Sequence, residues 1–378
     1  MSDHYLITEA HELPQPGGKI GWGRLIGAST ALAAAELAES RALPVVVLTD
    51  DPRKADQIEA GIRFFASANI EVGHFLEWET LPWDTFSPHQ DIISERLKVL
   101  ASMRALQSGV IVVPASVLLQ RLPPVGYVAS RSLSLQTGES LPRDEFVDSL
   151  AAAGYFRVPQ VSEHGEFAVR GSLIDVFPMG SNLPIRIDFF DDDIESLRLF
   201  APESQLSGDV LDRVDVLPAR EVPLDPEAIK SFRERYRERF EGQPGKSRVY
   251  REISDGIAHG GIEYYLPLFI DETANLLDYL PEECVVLAPH GIDDLLETAW
   301  NQVEERYELC RLDTERPILS PDETFNQPAA MLEQLAQFRQ VLYSSQTLEE
   351  RRGNRNFPTR LPPAMKVEAR YEDAAGSL

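Results

Sequence analysis

The feature that most constrains this chain is a change of hydrophobic pattern at Pro123-Pro124. Before this point, apolar β-branched runs alternate with helix-favouring segments, as in 44–49 followed by 52–67. Such alternation favours a parallel sheet with helices on its faces. After it, short strands separated by turns rich in Gly and Asp predict antiparallel hairpins around a single helix, 143–153. The chain therefore combines two architectures.

The elements predicted on either side of this change can be stated individually. In the first part the predicted helices are 28–40, 52–67, 91–106 and a short one at 116–120, and the predicted strands are 44–49, 71–75 and 109–113. In the second part the predicted strands are 132–136, 166–170, 173–177, 184–190 and 194–200.

A helical pattern returns after the hairpins, with one apolar strand at 284–288 and a last helix at 329–342. That strand needs neighbours, and the sheet of the first part can supply them. We therefore expect a discontinuous α/β domain with a small α+β hairpin domain inserted in it, in keeping with a length of 378 residues. The predicted limits are 1–127 and 219–350 for the α/β domain, 128–218 for the insertion, and 351–378 for a linker to a missing domain.

The charge balance restricts the function classes. The net charge is −25, whereas a surface that neutralises phosphates should be basic, so we do not expect the main DNA grip here, although a local basic surface stays possible. Cys284 and Cys310 form no redox or metal spacing. No apolar run reaches the roughly 18 residues of a membrane span, and the start has no signal-peptide pattern. We expect a cytoplasmic monomer without cofactor, metal or membrane contact.

Three charged stretches could suggest sites but are more simply structural. Asp191-Asp192-Asp193 lies between two predicted strands and fits a solvated hairpin turn better than a metal cluster. The stretch 163–166, Glu-His-Gly-Glu, lacks the spacing of metal ligands on one helix face. The basic stretch 233–239 alternates with glutamates and favours a solvated helix face with local ion pairs.

The strand 184–190 carries the best candidate for a binding face. Because side chains alternate across a strand, one face, naturally the core, carries Ile185, Ile187 and Phe189, and the other carries Arg186, Asp188 and Phe190. A large aromatic beside an arginine on a polar face is typical of interface anchors. The strand 166–170 repeats the pattern, with Arg170 opposite to Phe167. The alternative is that Phe190 is buried under the 166–170 hairpin or against the other domain.

Several stretches together resemble the bacterial transcription-repair coupling factor family (Mfd). They are 78–96, 163–171, 175–180, 186–192 and 261–265, and the resemblance covers roughly 10–350. It implies a helicase-like α/β domain similar to UvrB, with an inserted domain that binds the excision-repair protein UvrA. By motif, the UvrA-binding residues of that family match Arg170, Arg186 and Phe190. In that family RNA polymerase and double-stranded DNA are bound by further domains, which are missing here.

The likeness to UvrB also implies a degenerate nucleotide site. A P-loop needs a glycine-rich turn, a lysine for the phosphates and a hydroxyl for Mg²⁺. By this likeness Gly27 is kept, whereas Thr30 stands in the place of the lysine and Ala31 in the place of the hydroxyl. The strand 284–288 ends in Pro289-His290 instead of an acidic pair. Asp271-Glu272 look like such a pair, but we interpret them as a cap of the following helix.

The favoured hypothesis is a non-catalytic adaptor that recruits UvrA by mimicking UvrB. The alternative is a UvrB-type protein that processes damaged DNA with a nucleotide. The stretch 83–96, which is shorter than the tyrosine-rich damage-binding hairpin of UvrB and lacks its tyrosines, argues against this alternative. A third possibility, an α/β enzyme for a small molecule, has no convergent catalytic residues to support it.

Overall fold

A computed structural model describes residues 12–242 and 244–361. Its first part alternates strands and helices. The start of the second helix is set by the local sequence, because Pro52 occupies its first turn and the Lys54 N–H donates to the side chain of Asp51 at 2.9 Å. The elements are β1 (Lys19–Gly23), α1 (Ser29–Arg41), β2 (Pro44–Thr49), α2 (Pro52–Phe65), β3 (Glu71–His74), α3 (Gln90–Met103), β4 (Gly109–Pro114), a 3₁₀ turn (Ala115–Leu119) and α4 (Tyr127–Arg131).

The second part is a sheet of hairpins with one helix, as predicted. Its elements are β5 (Leu133–Gln136), α5 (Arg143–Ala152), β6 (Phe156–Arg157), β7 (Glu166–Arg170), β8 (Leu173–Val176), β9 (Ile185–Phe190), β10 (Asp193–Phe200), β11 (Ser207–Leu211) and β12 (Arg213–Val216). Six strands lie in the order β11-β10-β9-β8-β7-β6, antiparallel except for the short β6–β7 pair, and β12 pairs separately with β5. The helix α5 lies over this sheet, where Phe146 packs 6.3 Å from Phe189, ring centre to ring centre.

The third part returns to the first sheet. Its elements are α6 (Pro226–Arg239), α7 (Arg248–Ser254), α8 (Leu266–Phe269), β13 (Val285–Pro289), α9 (Ile292–Cys310), α10 (Pro321–Thr324), α11 (Pro328–Leu335), β14 (Arg339–Tyr343) and β15 (Asn354–Asn356), with 3₁₀ turns at Pro244–Lys246, Ile262–Tyr265 and Leu276–Tyr279. Seven parallel strands lie in the order β15-β1-β14-β13-β2-β4-β3. The predicted fold class, an α/β sheet domain with a separate antiparallel hairpin unit, is confirmed. β13 pairs directly with β2.

The predicted helix 329–342 is wrong in its second half. The helix α11 ends at Leu335, and the chain then forms β14 between β1 and β13. Val341 at the middle of this strand is fully buried. Pairing on both sides and burial of Val341 outweigh the local helix preference, which is worth at most about 0.7 kcal/mol per ordinary residue.

The predicted linker 351–378 is also wrong at its beginning. β15 pairs with β1, and the next residue, Phe357, is buried with its ring centre 5.6 Å from that of Trp22. This end of the chain therefore completes the parallel sheet as its edge strand. The remainder of that prediction, 362–378, and the first residues of the chain, 1–11, lie outside the described residues.

A buried ion pair lies beside the junction of the hairpin unit with the α/β part, between α3 and the segment that follows β12. Arg96 on α3 is fully buried and donates to both carboxylate oxygens of Glu221, at 2.6 and 3.1 Å, while its guanidinium lies 4.3 Å from the ring centre of Phe75. Nearby, the Gly180 N–H donates to Ser94 Oγ at 2.8 Å. Charged and polar bonds thus fix the seam between the two architectures. None of the helices in the described ranges has the length and apolar character needed to cross a membrane.

Candidate partner-binding surface

The outer face of β9 presents a large exposed aromatic side chain. Ile185 and Ile187 on the inner face are fully buried, and Phe189 is 4% exposed, whereas Phe190 is 69% exposed. The Phe189 N–H donates to the Ser172 carbonyl at 3.1 Å, which brings the end of β9 beside the β7–β8 turn. Neither the 166–170 hairpin nor the α/β part covers Phe190, so the alternative that its ring is buried does not hold.

Two arginines on the same face share one buried carboxylate. Asp175 on β8 is 1% exposed and accepts from Arg186 Nε at 2.7 Å and Nη2 at 2.9 Å. Arg170 Nη2 also lies 3.2 Å from Asp175 Oδ2. The hydrogen bonds from Arg186 to Asp175 raise the pKa of Arg186, so this guanidinium keeps its charge. Asp175 therefore holds both guanidinium groups on the outer face of the sheet.

The two arginines of the predicted exposed patch, Arg170 and Arg186, differ in exposure. The Arg170 side chain is 43% exposed, but that of Arg186 is only 17% exposed. Arg186 also lies 4.8 Å from the ring centre of Phe200. A guanidinium that is bidentate with a carboxylate and packed on an aromatic ring mainly supports its neighbours. Arg170 and Phe190 are thus the exposed members of the predicted trio.

Gln205, which was not predicted as a site residue, accepts hydrogen bonds from both arginines. Its carbonyl accepts from Arg186 Nη1 and its Oε1 accepts from Arg170 Nη2, both at 3.2 Å. Its Nε2 donates to the Val161 carbonyl at 3.1 Å, and its backbone has a positive φ of 61°. A non-glycine residue in this region costs about 1 kcal/mol or more, and such strain clusters at functional sites. No local sequence signal marks a glutamine for this role.

The exposed face extends beyond the predicted residues. Arg198 on β10 pairs with Arg186 and, on its other side, with Val210 of β11. Val210 is largely exposed, as is Leu206 next to Gln205. The surface therefore combines separated apolar side chains with arginines whose positions are fixed, and it suits a protein partner that offers apolar pockets and acidic groups.

The predicted degenerate nucleotide turn lies between β1 and α1. Thr30 and Ala31 are buried, and Ala31 faces Gly61 of α2 so closely that a side chain added at Gly61 would come within 2.7 Å of its Cβ. The side chain of Ala31 therefore packs against a helix. Gly27 has a φ of +64° and no atoms close to its open side.

The turn is also hydrogen-bonded to the segment that follows β15. The Ile26 N–H donates to Thr359 Oγ1 at 3.2 Å, and this hydroxyl in turn donates to the Arg24 carbonyl. Arg24 Nη2 donates to the Thr359 carbonyl at 3.2 Å. A backbone N–H of the kind that would cradle a phosphate is thus already satisfied by the segment that follows β15.

The acidic pair 271–272 does not act as the predicted helix cap. Asp271 forms an ion pair with Arg235 of α6. The 3₁₀ turn that follows is capped instead by Asn275, whose Oδ1 accepts from the Leu277 N–H at 2.8 Å. The ion pair of Arg235 is also long-range in sequence, in contrast to the local pairs predicted for 233–239.

Within the triplet Asp191-Asp192-Asp193, the first two residues form the turn between β9 and β10 and the third begins β10. Asp191 has a φ of +55°, and the Asp192 carbonyl accepts from the Leu141 N–H at 2.6 Å. In the part of the chain that the structure describes, no three His, Cys, Asp or Glu side chains are grouped to hold a metal ion. The triplet borders Phe190, which pairs with Asp193 across the hairpin.

Comparisons with known proteins place this chain in a family. Residues 133–222 match the family model described as the UvrB interaction domain. The chain is 36% identical over 365 residues to the transcription-repair-coupling factor of Haemophilus influenzae, which covers 96% of this chain and 32% of that protein. It is 37% identical over 357 residues to the transcription-repair-coupling factor of Escherichia coli, covering 94% and 31%.

More distant relatives carry the same name. The transcription-repair-coupling factor of Bacillus subtilis is 27% identical over 211 residues, which are 52% of this chain and 18% of that protein. This chain spans about a third of the length of the Haemophilus and Escherichia relatives. The chain belongs to the transcription-repair-coupling factor family and corresponds to the amino-terminal, UvrB-like region of its members.

Proposed function

We propose that this chain is a non-catalytic module that binds UvrA through the outer face of β9 and so recruits nucleotide excision repair to stalled RNA polymerase. The observation that carries the proposal is Phe190, exposed at the end of a strand whose neighbouring arginines are held on Asp175. The match of 133–222 to the UvrB interaction domain supports a surface of the kind that UvrB uses.

In this proposal, the arginine network is preorganised before the partner arrives. Asp175 and Gln205 hold Arg170, so little side-chain entropy is lost when Arg170 donates its free N–H groups to an acceptor on UvrA. Phe190 supplies the apolar anchor that fills a pocket on the partner. Anchors of this type typically contribute more than 1 kcal/mol each, and the residues around them contribute mainly by excluding water.

We further propose that the chain does not hydrolyse ATP. The place of the phosphate lysine is taken by the buried Thr30, the place of the Mg²⁺ hydroxyl by Ala31, and the turn is bonded to Thr359. The test is ATP turnover with and without DNA. Turnover above background that is lost on mutating Thr30 would favour the alternative, a UvrB-type nucleotide-dependent protein.

We also propose the domain limits of this chain and the role of the full-length protein. The inserted UvrA-binding domain is 128–218, flanked by 1–127 and 219–350 of the α/β domain. In the full-length protein, which would be an ATP-dependent DNA translocase that displaces RNA polymerase, the polymerase and double-stranded DNA would be bound by domains outside this chain. The long match to relatives of about three times its length supports this proposal.

A calorimetric titration with UvrA tests the binding surface. Phe190→Ala and Arg170→Ala should each weaken binding by roughly 1–4 kcal/mol, the range for anchoring residues. The matched control is Phe64→Ala, because Phe64 on α2 is 82% exposed but lies outside the hairpin unit. It should leave the affinity within about two-fold, well under 1 kcal/mol. Equal losses for Phe64→Ala and Phe190→Ala, or no loss for either, would contradict the proposed surface.

A further inference from the structure

A cleft of about 500 Å³ opens at the carboxyl edge of the parallel sheet, and no strand of the hairpin unit lines it. Its walls are the loop 77–82 that follows β3, the residues 116–120 that follow β4, and one face of α9. On α9 the lining residues recur every three or four positions, as Ala299, Val303, Arg306 and Leu309 do, which is the spacing of one helix face. The volume is within the usual range of ligand pockets, about 300–1,000 Å³.

The floor of the cleft is aromatic and its rim is aliphatic. Trp78 and Tyr264 pack edge to face with ring centres 5.5 Å apart, and Phe325 lies 6.2 Å from Tyr264. At the rim, Leu81 is 59% exposed and Leu309 is 76% exposed. Two large exposed leucines on either side of an apolar floor give a continuous apolar surface, which usually marks an interaction site.

The cleft is also short of positive charge. Its lining includes Glu77, Glu79 and Glu305, and Arg306 is the one cation among the described residues that line it. Arg306 is already engaged, because it donates to Asp84 Oδ1 and to the Pro82 carbonyl, both at 3.2 Å. Burial raises the pKa of Glu77. The positive charge of Arg96 opposes this shift, and the negative charge of Glu79 adds to it. A positive group that entered the cleft would offset this surplus of carboxylates.

Two buried polar atoms of the lining have no hydrogen-bond partner within the described residues. One is a donor, the indole N–H of Trp78, and the other is an acceptor, Oε1 of Gln120. An unsatisfied buried polar group costs about 1–3 kcal/mol. Since neither atom is exposed, this cost falls on the packing beneath the cleft and not on groups that a bound segment reaches.

The wall loop is held in a strained conformation. Glu79 and Trp83 both have a φ of +55°, a region that non-glycine residues rarely adopt. Tyr264 fixes the loop by donating its hydroxyl to the Leu81 carbonyl at 2.8 Å, and Arg316 Nη1 donates to the Trp83 carbonyl at 2.6 Å. The cleft is therefore preformed, which lowers the cost of ordering it on binding.

We propose that this cleft docks a basic amphipathic segment of a partner protein, with an apolar side chain between Leu81 and Leu309 and a lysine or arginine facing Glu79 and Glu305. The site does not depend on the proposed binding of UvrA. The exposed leucines at the rim of the cleft favour a segment with several side chains over a small organic cation, which would leave the rim uncovered.

The test uses a fluorescein-labelled amphipathic helix of leucine and lysine, titrated with the whole chain and followed by fluorescence anisotropy at physiological salt. Saturable binding is expected. Leu81→Ser/Leu309→Ser and Glu79→Gln/Glu305→Gln should each weaken it by about ten-fold or more, as loss of interface anchors does. Carbodiimide cross-linking should join peptide lysines to Glu79 or Glu305.

Matched controls separate a site from general attraction to an acidic chain. Glu234→Gln/Glu238→Gln changes the same charge on α6, and Phe64→Ser removes an exposed apolar side chain on α2, and both should bind the peptide as the unmodified chain does. Equal weakening in a control, or the absence of saturable binding, would overturn the proposal. Self-association that the peptide reverses and that Leu309→Ser abolishes would also overturn it, since the occupant would then be a second copy of the chain.

Discussion

Alanine replacements of Phe189 and Phe190 should have opposite effects, although the two residues are adjacent. Phe189 points into the core under α5, where its ring centre lies 6.3 Å from that of Phe146. Phe190 points to solvent. The contrast follows from the alternation of side chains along a strand, so the experiment tests the placement of β9 as well as the proposed function.

The expected magnitudes differ widely. Truncation of a buried phenylalanine removes its transfer free energy and leaves a cavity, so Phe189→Ala should lower the free energy of unfolding by roughly 3–5 kcal/mol. Phe190→Ala removes an exposed ring and should change it by less than about 0.5 kcal/mol. In a cooperative unit of roughly a hundred residues, the first change lowers Tm by more than about 10 °C, and the second by only a few degrees.

Differential scanning calorimetry and a UvrA titration on the same two variants decide the matter. Phe190→Ala should melt like the unmodified chain and bind UvrA weakly, whereas Phe189→Ala should melt early and bind UvrA when measured well below its Tm. If Phe190→Ala melted early while Phe189→Ala lost only its affinity for UvrA, the facing of β9 would be inverted. If neither variant changed UvrA binding, the proposed surface would be wrong.

Local periodicity was sufficient to predict the facing of β9. Ile185, Ile187 and Phe189 are buried as predicted because the two-residue repeat of a strand depends only on its own backbone. The switch from βα alternation to hairpins predicted the fold class for the same reason, since each element signals its own type. The strength of these signals is that they need no knowledge of distant partners.

Periodicity could not predict how deeply a side chain is buried or which distant strands pair. It placed Arg186 on the outer face but not its burial, because that depends on Asp175 in the neighbouring strand and on the carbonyl of Gln205. An acid inside the apolar stretch 173–177 was a usable hint of a partner arginine. β14 and β15 were missed because their stability comes from pairing with β1, more than three hundred residues away along the chain for both.

Three further predictions follow from buried charges. Asp175→Asn should weaken UvrA binding by about ten-fold, because it releases both arginines, with Asp144→Asn on α5, away from the outer face of β9, as the control in the same titration. Arg96→Met should lower the free energy of unfolding by roughly 3–5 kcal/mol, because Glu221 is left as an unpaired buried charge; adding Glu221→Gln should recover part of the loss in urea unfolding. Burial raises the pKa of Glu263 from 4.5 to about 7, with Ser87 Oγ donating to its carboxylate at 2.9 Å and opposing the shift. Since the folded pKa lies above the unfolded value, the fold favours the protonated acid, and the stability it contributes is complete below about pH 4.5 and is lost as the pH rises to 7. Glu263→Gln stays neutral and still accepts from Ser87, so it should raise the free energy of unfolding at pH above 7, by at most about 3 kcal/mol, and hardly change it in acid. Urea unfolding of both chains across this pH range measures the difference, and a gain that did not grow with pH would contradict a partly buried Glu263 whose pKa is raised in the fold.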